Sequence, residues 1–170
     1  MNEGRFVAPL KRRSSQKAQR WSAASIGFCD GDVVVSYKEY SPPTGGIRCL
    51  TLPERSDGLH FKTASYSMRL QARRYALSKG FDDAVFVGLD DEVSELSSSN
   101  LIALVDGKWI TPRLESGALP GIQGGNSFPT FGVSEVLITR NDLGSAQAVA
   151  AISSLREIQS IKEIDGKKLS

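Results

Sequence analysis

The sequence has few of the residues that build metal sites, disulfides or membrane spans. His60 is its only histidine, and its two cysteines, Cys29 and Cys49, match neither a metal-binding spacing nor a redox pair. No apolar run approaches the length of a membrane helix, and the first residues do not read as a secretory signal. We therefore expect no metal, no membrane contact and a reducing, cytoplasmic location.

The composition that remains is that of an ordinary globular protein. Hydrophobic residues make up 40% and charged residues 24% of the 170 positions, enough for one core or for one domain with part of a second. Residues 1–25 are basic, with six Lys or Arg against Glu3 alone. Such an arm could grip nucleic acid, but we favour a solvated, flexible terminus and expect no nucleic-acid partner.

The middle of the chain predicts three strands and one helix. Residues 32–37 and 47–52 are rich in strand-forming side chains, and residues 59–63 should form a short strand that ends at Lys62. Residues 67–78 predict an amphipathic helix that ends at Gly80. In this helix Leu70, Tyr75 and Ala76 are expected to face the sheet, and the arginines to face water.

The second half predicts a meander of short strands. A two-residue Asp-Gly sequence is typical of a type I′ hairpin turn, so Asp106-Gly107 should join two neighbouring strands. A short helix capped by Asn141 or Asp142 is expected before the last strands. The strand predictions are residues 84–89, 92–96, 100–105, 108–111, 135–138, 148–152 and 161–164.

Lys62 and Glu95 form the chemically suggestive pair of this sequence. Pyridoxal phosphate chemistry needs an amine that forms a Schiff base with the aldehyde, and a carboxylate that keeps the ring nitrogen protonated. Spacing alone does not distinguish such a pair from two solvated surface charges. The Ser-Ser-Ser-Asn run that follows Glu95 favours a buried polar turn over a surface carboxylate.

Beyond this pair, six short segments resemble the class IV aminotransferases, the fold type IV pyridoxal phosphate enzymes. The resemblance runs from Lys62 to about Lys168, and its segments come in the family's order. They are Lys62–Tyr66, Gly80–Val85, Glu95–Asn100, Thr111–Pro112, Leu119–Ile122, and Ser153–Ile158 followed by Ile164–Gly166. The last of them is most similar to aminodeoxychorismate lyase and to the D-amino-acid branch.

The resemblance implies a mixed α/β domain with a barrel-like, curved sheet and helices, the family's C-terminal domain. It also implies a domain order. Residues 1–25 would be the basic arm, 26–58 a remnant of the family's N-terminal α+β domain with its linker, and 59–170 the cofactor-binding domain. The arginine that the family's N-terminal domain gives to the cofactor phosphate has no counterpart in residues 1–25, so we expect either a fragment or a shortened relative.

The resemblance also assigns roles at the site. Lys62 would carry pyridoxal 5'-phosphate and move protons, and Glu95 would hold the ring nitrogen. The phosphate would meet the backbone amides of Ile122 and Gln123 and the amides or hydroxyls of Ser153 and Ser154. Tyr66 and Arg156 would line the substrate side. Tyr66 fits a core aromatic equally well, and an arginine placed as Arg156 is usually exposed.

The function implied is conversion of 4-amino-4-deoxychorismate to 4-aminobenzoate and pyruvate, a step of folate synthesis, by a homodimer with a small-molecule substrate. One alternative is an aminotransferase for branched-chain or D-amino acids. Another is a catalytically silent homologue that acts as a binding module. Three departures motivate it: the missing domain, the Gly-rich residues 123–129 where a helix is expected, and Ser153 where lyases usually have asparagine.

Overall fold

The computed structural model describes residues 21–29, 32–41, 44–54, 67–121 and 132–169. The chain divides into two compact units between residues 41 and 42. The first unit contains an antiparallel hairpin of β1, Trp21–Cys29, and β2, Asp32–Tyr40. The predicted strand at 32–37 is confirmed within β2, whereas β1 was missed because half of it lies in the basic segment taken as an arm.

The second unit combines a sheet with two short helices in the ranges described. A 3-10 turn at Leu114–Ser116 follows β7. The elements are β3 (Ile47–Leu52), α1 (Ser67–Ser78), β4 (Asp83–Val87), β5 (Val93–Leu96), β6 (Asn100–Val105), β7 (Lys108–Pro112), β8 (Ser134–Val136), α2 (Arg140–Ser145), β9 (Ala148–Ser153), β10 (Glu157–Ile164) and β11 (Lys167–Lys168).

The strands form one mixed sheet in the order β5-β4-β3-β10-β9-β6-β7-β8, with β11 paired to β10. The pairs β3–β4, β3–β10 and β7–β8 are parallel, and the others are antiparallel. The sheet curls into a half-barrel, which confirms the predicted mixed, barrel-like fold class. β4 and β5 are buried along their whole length, which explains why their sequences are not clearly alternating.

Helix α1 covers one face of β3 and β4. Alternate residues of a strand point to opposite faces, so Ala84 and Phe86 contact the helix while Val85 and Val87 join the main core on the other face. That main core also includes the following residues of the neighbouring elements: Cys49, Leu96, Leu101, Ile138, Leu143, Val149, Ala151 and Ile161.

The bounds predicted for α1 are confirmed, and of its predicted buried face only Ala76 is confirmed. Leu70 and Tyr75 are 49% and 50% exposed, and the residues that face the sheet are Arg69, Ala72 and Ala76. These three lie at positions i, i+3 and i+7, which is one stripe of a helix. The prediction followed the large apolar side chains. The small alanines face the sheet instead, because they allow the helix to approach it closely.

The sequence predicted the β6–β7 turn correctly and the cap of α2 incorrectly. Asp106 and Gly107 have φ angles of 49° and 71° between β6 and β7, as a type I′ turn requires, so this hairpin prediction is confirmed. For α2 the predicted cap, Asn141 or Asp142, lies two or three residues too late. The cap is Thr139, which accepts from the backbone N–H of Asp142 while the Asp142 carboxylate accepts from that of Thr139.

Candidate functional site

Glu95 is a buried carboxylate at the edge of the described sheet. It lies on β5, is 2% exposed, and belongs to a strand whose four residues are all buried. A buried carboxylate is costly unless charge and hydrogen bonds compensate it, so its partners define the site.

Among the described residues, three groups contact the Glu95 carboxylate. Arg69 of α1 places its Nη2 at 2.5 Å from Oε1, and the backbone N–H of Leu119 donates to the same oxygen at 3.1 Å. Asn100 brings its Nδ2 to 3.5 Å from Oε2. The adjacent guanidinium and the two N–H groups favour the ionised carboxylate. A protonated pyridine nitrogen needs such a group as its partner.

Two glutamates, Glu92 and Glu95, hold the segment from Arg113 to Gly121 over β5 by hydrogen bonds. Glu92 accepts hydrogen bonds from Arg113 Nε at 2.9 Å and from Ser116 Oγ at 2.6 Å. Farther along, Asn100 Nδ2 donates to the Leu119 carbonyl at 2.9 Å. A Cβ built at Gly121 would lie 2.0 Å from Asn100 Oδ1, so only glycine allows this close approach.

Asp83 joins two turns at the end of the sheet. Its carboxylate accepts from the hydroxyls of Ser97 and Ser98, the latter at 2.8 Å. Its Oδ2 also lies 3.1 Å from Nη2 of Arg156, which follows β9. Asp83 is fully buried and the Arg156 side chain is 10% exposed, so this is a buried ion pair. The expected buried polar turn after Glu95 is thereby confirmed, with Ser97 and Ser99 both buried.

The turn that begins at Ser153 lies beside the turn formed by Ser97, Ser98 and Ser99. Antiparallel pairing of Asn100 with Ile152 places the residues preceding Asn100 next to those following Ile152. The backbone N–H of Arg156 donates to Ser153 Oγ at 3.1 Å, which closes this second turn. Ser153 is half-buried and Ser154 is exposed.

Two buried polar atoms in these turns show that the residues present fit an anionic ligand. Ser99 Oγ and Arg156 Nη1 have no hydrogen-bond partner within the described ranges. Buried polar atoms are usually paired, so these two donors at neighbouring turns are available to a ligand. A phosphate accepts hydrogen bonds from hydroxyl and guanidinium donors and meets this requirement.

Cys49 of β3 lies opposite Asp83 of β4 in the sheet register. Burial raises the pKa of its thiol well above the ordinary value of 9.0, and the negative charge of Asp83 adds to the shift. Cys49 is therefore a neutral packing residue and not a nucleophile.

Half of the predicted site falls on described residues. Glu95, Ser153, Ser154 and Arg156 are placed as stated above. Lys62, Tyr66, Ile122 and Gln123 lie outside the described residues, as does the predicted strand at 59–63. Their roles stay predictions, and so do the roles assigned to the four described residues.

The structure adds two residues that sequence reasoning did not place at the site, Arg69 and Asp83. Arg69 is 2% exposed and shares a helical stripe with two alanines, Ala72 and Ala76. That shared spacing was the available signal. Asp83 stands in a Phe-Asp-Asp-Ala run that reads as a turn, and nothing local distinguishes it from exposed Asp residues.

A family profile described as amino-transferase class IV matches residues 24–164. The chain belongs to the class IV aminotransferase family, whose members depend on pyridoxal phosphate and act on small molecules. It is 30% identical over 105 residues to the probable branched-chain-amino-acid aminotransferase of Aquifex aeolicus, across 58% of this chain and 33% of that protein.

Solved structures of the family have the same fold. The putative 4-amino-4-deoxychorismate lyase of Legionella pneumophila superposes with a TM-score of 0.75 at 25% identity, over 81% of this chain and 55% of that one. A hypothetical aminotransferase from Mycobacterium tuberculosis, solved in a PLP-bound form, has a TM-score of 0.70 at 21% identity over 82% and 57% of the chains. The chain thus spans a third to just over half of the relatives' length.

Neither helix in the described part of the chain has the length and apolar character that crossing a bilayer requires.

Proposed function

We propose that this chain is a pyridoxal phosphate-dependent lyase that converts 4-amino-4-deoxychorismate to 4-aminobenzoate and pyruvate. The observation that carries the cofactor requirement is the buried Glu95 carboxylate with its Arg69 partner. The choice of lyase is supported by the likeness to the Legionella protein and by the segment that begins at Ser153.

In this proposal the chain holds the cofactor at both ends. Glu95 contacts the ring nitrogen, Lys62 attaches the aldehyde carbon, and the phosphate lies against the turn of Ser153 and Ser154. The backbone amides of Ile122 and Gln123 complete the phosphate site. When bound, pyridoxal phosphate supplies the electron sink that lets a bond at the substrate carbon break.

Electrostatics around Glu95 would keep the ring nitrogen protonated. The Arg69 guanidinium donates to the buried carboxylate, which favours its negative charge and holds its orientation. The Lys62 amine would then carry a proton to or from the substrate. Tyr66 and Arg156 stay candidates for the substrate side. For Arg156 the Asp83 contact occupies Nη2 and leaves Nη1 as the donor.

The first experiment is the visible spectrum of the chain with pyridoxal phosphate, followed by borohydride reduction and peptide mapping. We expect one covalent label on Lys62, lost in Lys62→Ala and kept in the control Lys79→Ala, whose lysine lies just after α1. Protein loaded with pyridoxal phosphate but not reduced should release 4-aminobenzoate from 4-amino-4-deoxychorismate, detected by its fluorescence, in equal amounts with pyruvate. A folded chain that takes no label at Lys62 would refute the enzyme proposal and favour the binding module.

A second candidate is an amino-acid aminotransferase, favoured by the identity with the Aquifex protein. The cofactor-holding residues serve both reactions, and the substrate contacts separate them. An assay with a branched-chain or D-amino acid and 2-oxoglutarate decides between them. Formation of glutamate without release of 4-aminobenzoate would replace the lyase by the aminotransferase.

We also propose a cytoplasmic homodimer with the domain order given above, from the arm at 1–25 and the remnant at 26–58 to the cofactor-binding domain at 59–170. The β1–β2 hairpin supports an assembly, because isolated two-stranded hairpins are marginal. Its Val33, Val34 and Tyr37 are 59%, 57% and 75% exposed in the single chain. Sedimentation that shows a monomer with tightly bound cofactor would contradict the dimer.

A further inference from the structure

Asp83 is the one carboxylate that contacts both turns of the site among the described residues. It is the first residue of β4 and is fully buried. The backbone N–H of Ala84 donates to its Oδ1 at 2.9 Å, which fixes the carboxylate against its own strand. From this position it accepts the Ser97 and Ser98 hydroxyls and meets Nη2 of Arg156.

The contacts of Asp83 fix the backbone of both turns. Ser97 is bonded twice to the start of β4, because its backbone N–H donates to the Ala84 carbonyl at 2.9 Å and its hydroxyl donates to Asp83. On the other side, Arg156 donates its backbone N–H to Ser153 Oγ while its guanidinium holds Asp83. The side chain of Arg156 therefore ties the Ser153 turn to the buried carboxylate.

One terminal nitrogen of the Arg156 guanidinium contacts Asp83, and the other has no partner in the described ranges. Nη2 meets Asp83, and Nη1 is buried without a partner in the described ranges. A charged donor is costly to bury unpaired, so an anion that accepted from Nη1 would be bound strongly. The guanidinium is planar, so fixing Nη2 also fixes the direction of Nη1.

We propose that Asp83 is a positioning residue for the phosphate end of the cofactor site. It holds Arg156 so that Nη1 donates to the phosphate, and this inference therefore assigns Arg156 to the phosphate and not to the substrate side. Asp83 itself touches neither cofactor nor substrate. The inference rests on the proposed function, since it takes the Ser153 turn as the phosphate site.

The test compares pyridoxal phosphate with pyridoxal, which lacks the phosphate. The variant is Asp83→Asn, which keeps the shape and removes the charge. Its matched control is Asp165→Asn, because Asp165 also accepts a backbone N–H and a hydroxyl, both from Thr51, but lies in the β10–β11 turn. Dissociation constants for both ligands are measured by absorbance titration of each folded protein.

We expect Asp83→Asn to weaken pyridoxal phosphate binding about tenfold or more, as loss of a charged hydrogen bond predicts, and to change pyridoxal binding much less. The control should leave both constants within about twofold of the wild type. Equal weakening of both ligands by Asp83→Asn would overturn the inference, since it would show a general effect on the fold.

The double variant Asp83→Asn/Arg156→Gln guards against misfolding. Removing one partner leaves a buried, unpaired charge, whereas removing both avoids it. We expect the double variant to be folded by circular dichroism and to have lost the preference for the phosphorylated ligand. If it keeps the wild-type preference, the inference is wrong.

The result also separates this inference from the proposed function. A wild-type chain that binds neither ligand refutes both. A wild-type chain that binds pyridoxal phosphate through Lys62, with an unchanged ligand preference in Asp83→Asn, refutes only the role of Asp83.

Discussion

The guanidinium of Arg69 lies 2.5 Å from Glu95 Oε1, and both side chains are about 2% exposed. This pair joins helix α1 to the edge strand β5 across 26 positions of the sequence. Arg69 also lies with its guanidinium carbon 5.9 Å from the centre of the Phe86 ring, which adds a cation–π contact. The helix that follows the Lys62 segment is therefore fixed to the carboxylate proposed to hold the cofactor ring.

Replacing Arg69 by methionine should strongly destabilise the chain. The variant leaves the Glu95 charge buried without its cation, a loss that costs about 3 to 5 kcal/mol in known proteins. Arg73→Met on the exposed face of the same helix is the control and should change the unfolding free energy by less than about 0.5 kcal/mol. Urea denaturation compares the two. Similar midpoints and slopes for both variants would mean that Arg69 does not support Glu95.

Replacing Gly121 by alanine should disturb the Asn100 side chain. The new Cβ would lie 2.0 Å from Asn100 Oδ1, so the amide must leave the Leu119 carbonyl and Glu95. We expect a loss of about 1 to 3 kcal/mol, the cost of buried polar groups left unpaired.

Gly88→Ala is the control for this clash, because its nearest atom would be Glu92 O at 3.7 Å. Adding Asn100→Ala to Gly121→Ala removes the clash, so the double variant should be no less stable than Asn100→Ala alone. If denaturant titrations show that the stability losses of Gly121→Ala and Asn100→Ala add up in the double variant, the two residues do not collide.

The stability of the chain should fall at alkaline pH through Cys49. Its folded pKa is raised above the ordinary value of 9.0, so the unfolded chain releases the thiol proton first. The neutral Cys49 thiol contributes fully to the unfolding free energy below about pH 9. Above that pH, the unfolding free energy falls by about 1.4 kcal/mol per pH unit.

A Cys49→Ala variant isolates this effect, since all other groups titrate equally in both proteins. The stability difference between wild type and variant should shift by about 1.4 kcal/mol between pH 8 and pH 10, to the disadvantage of the wild type. Parallel stability curves across this range would mean that the folded thiol titrates normally.

Replacing Thr139 by alanine should remove the cap of α2. Its hydroxyl accepts the Asp142 backbone N–H, and such caps contribute about 1 kcal/mol. Asn141→Ala tests the cap expected from the sequence and should be nearly neutral, because Asn141 lies inside the exposed first turn. Thermal melts of both variants measure the difference. A larger loss in Asn141→Ala would reverse the assignment.

Local sequence patterns were enough to predict helix α1, the β6–β7 hairpin and the family. Helix α1 follows from a run of good helix formers between Ser67 and Ser78, and the β6–β7 hairpin from Asp106-Gly107. These features depend on neighbours within a few residues, which the sequence shows directly. The ordered family segments likewise predicted the mixed, curved sheet before the strands were seen.

Only the tertiary structure decided which polar residues are buried. Arg69 and Asp83 read as surface charges because their partners, Glu95 and Arg156, are 26 and 73 positions away along the chain. A charge can leave water only where an opposite charge and hydrogen-bond donors compensate the lost hydration. That compensation requires the fold to bring distant segments together, so local sequence patterns could not reveal it.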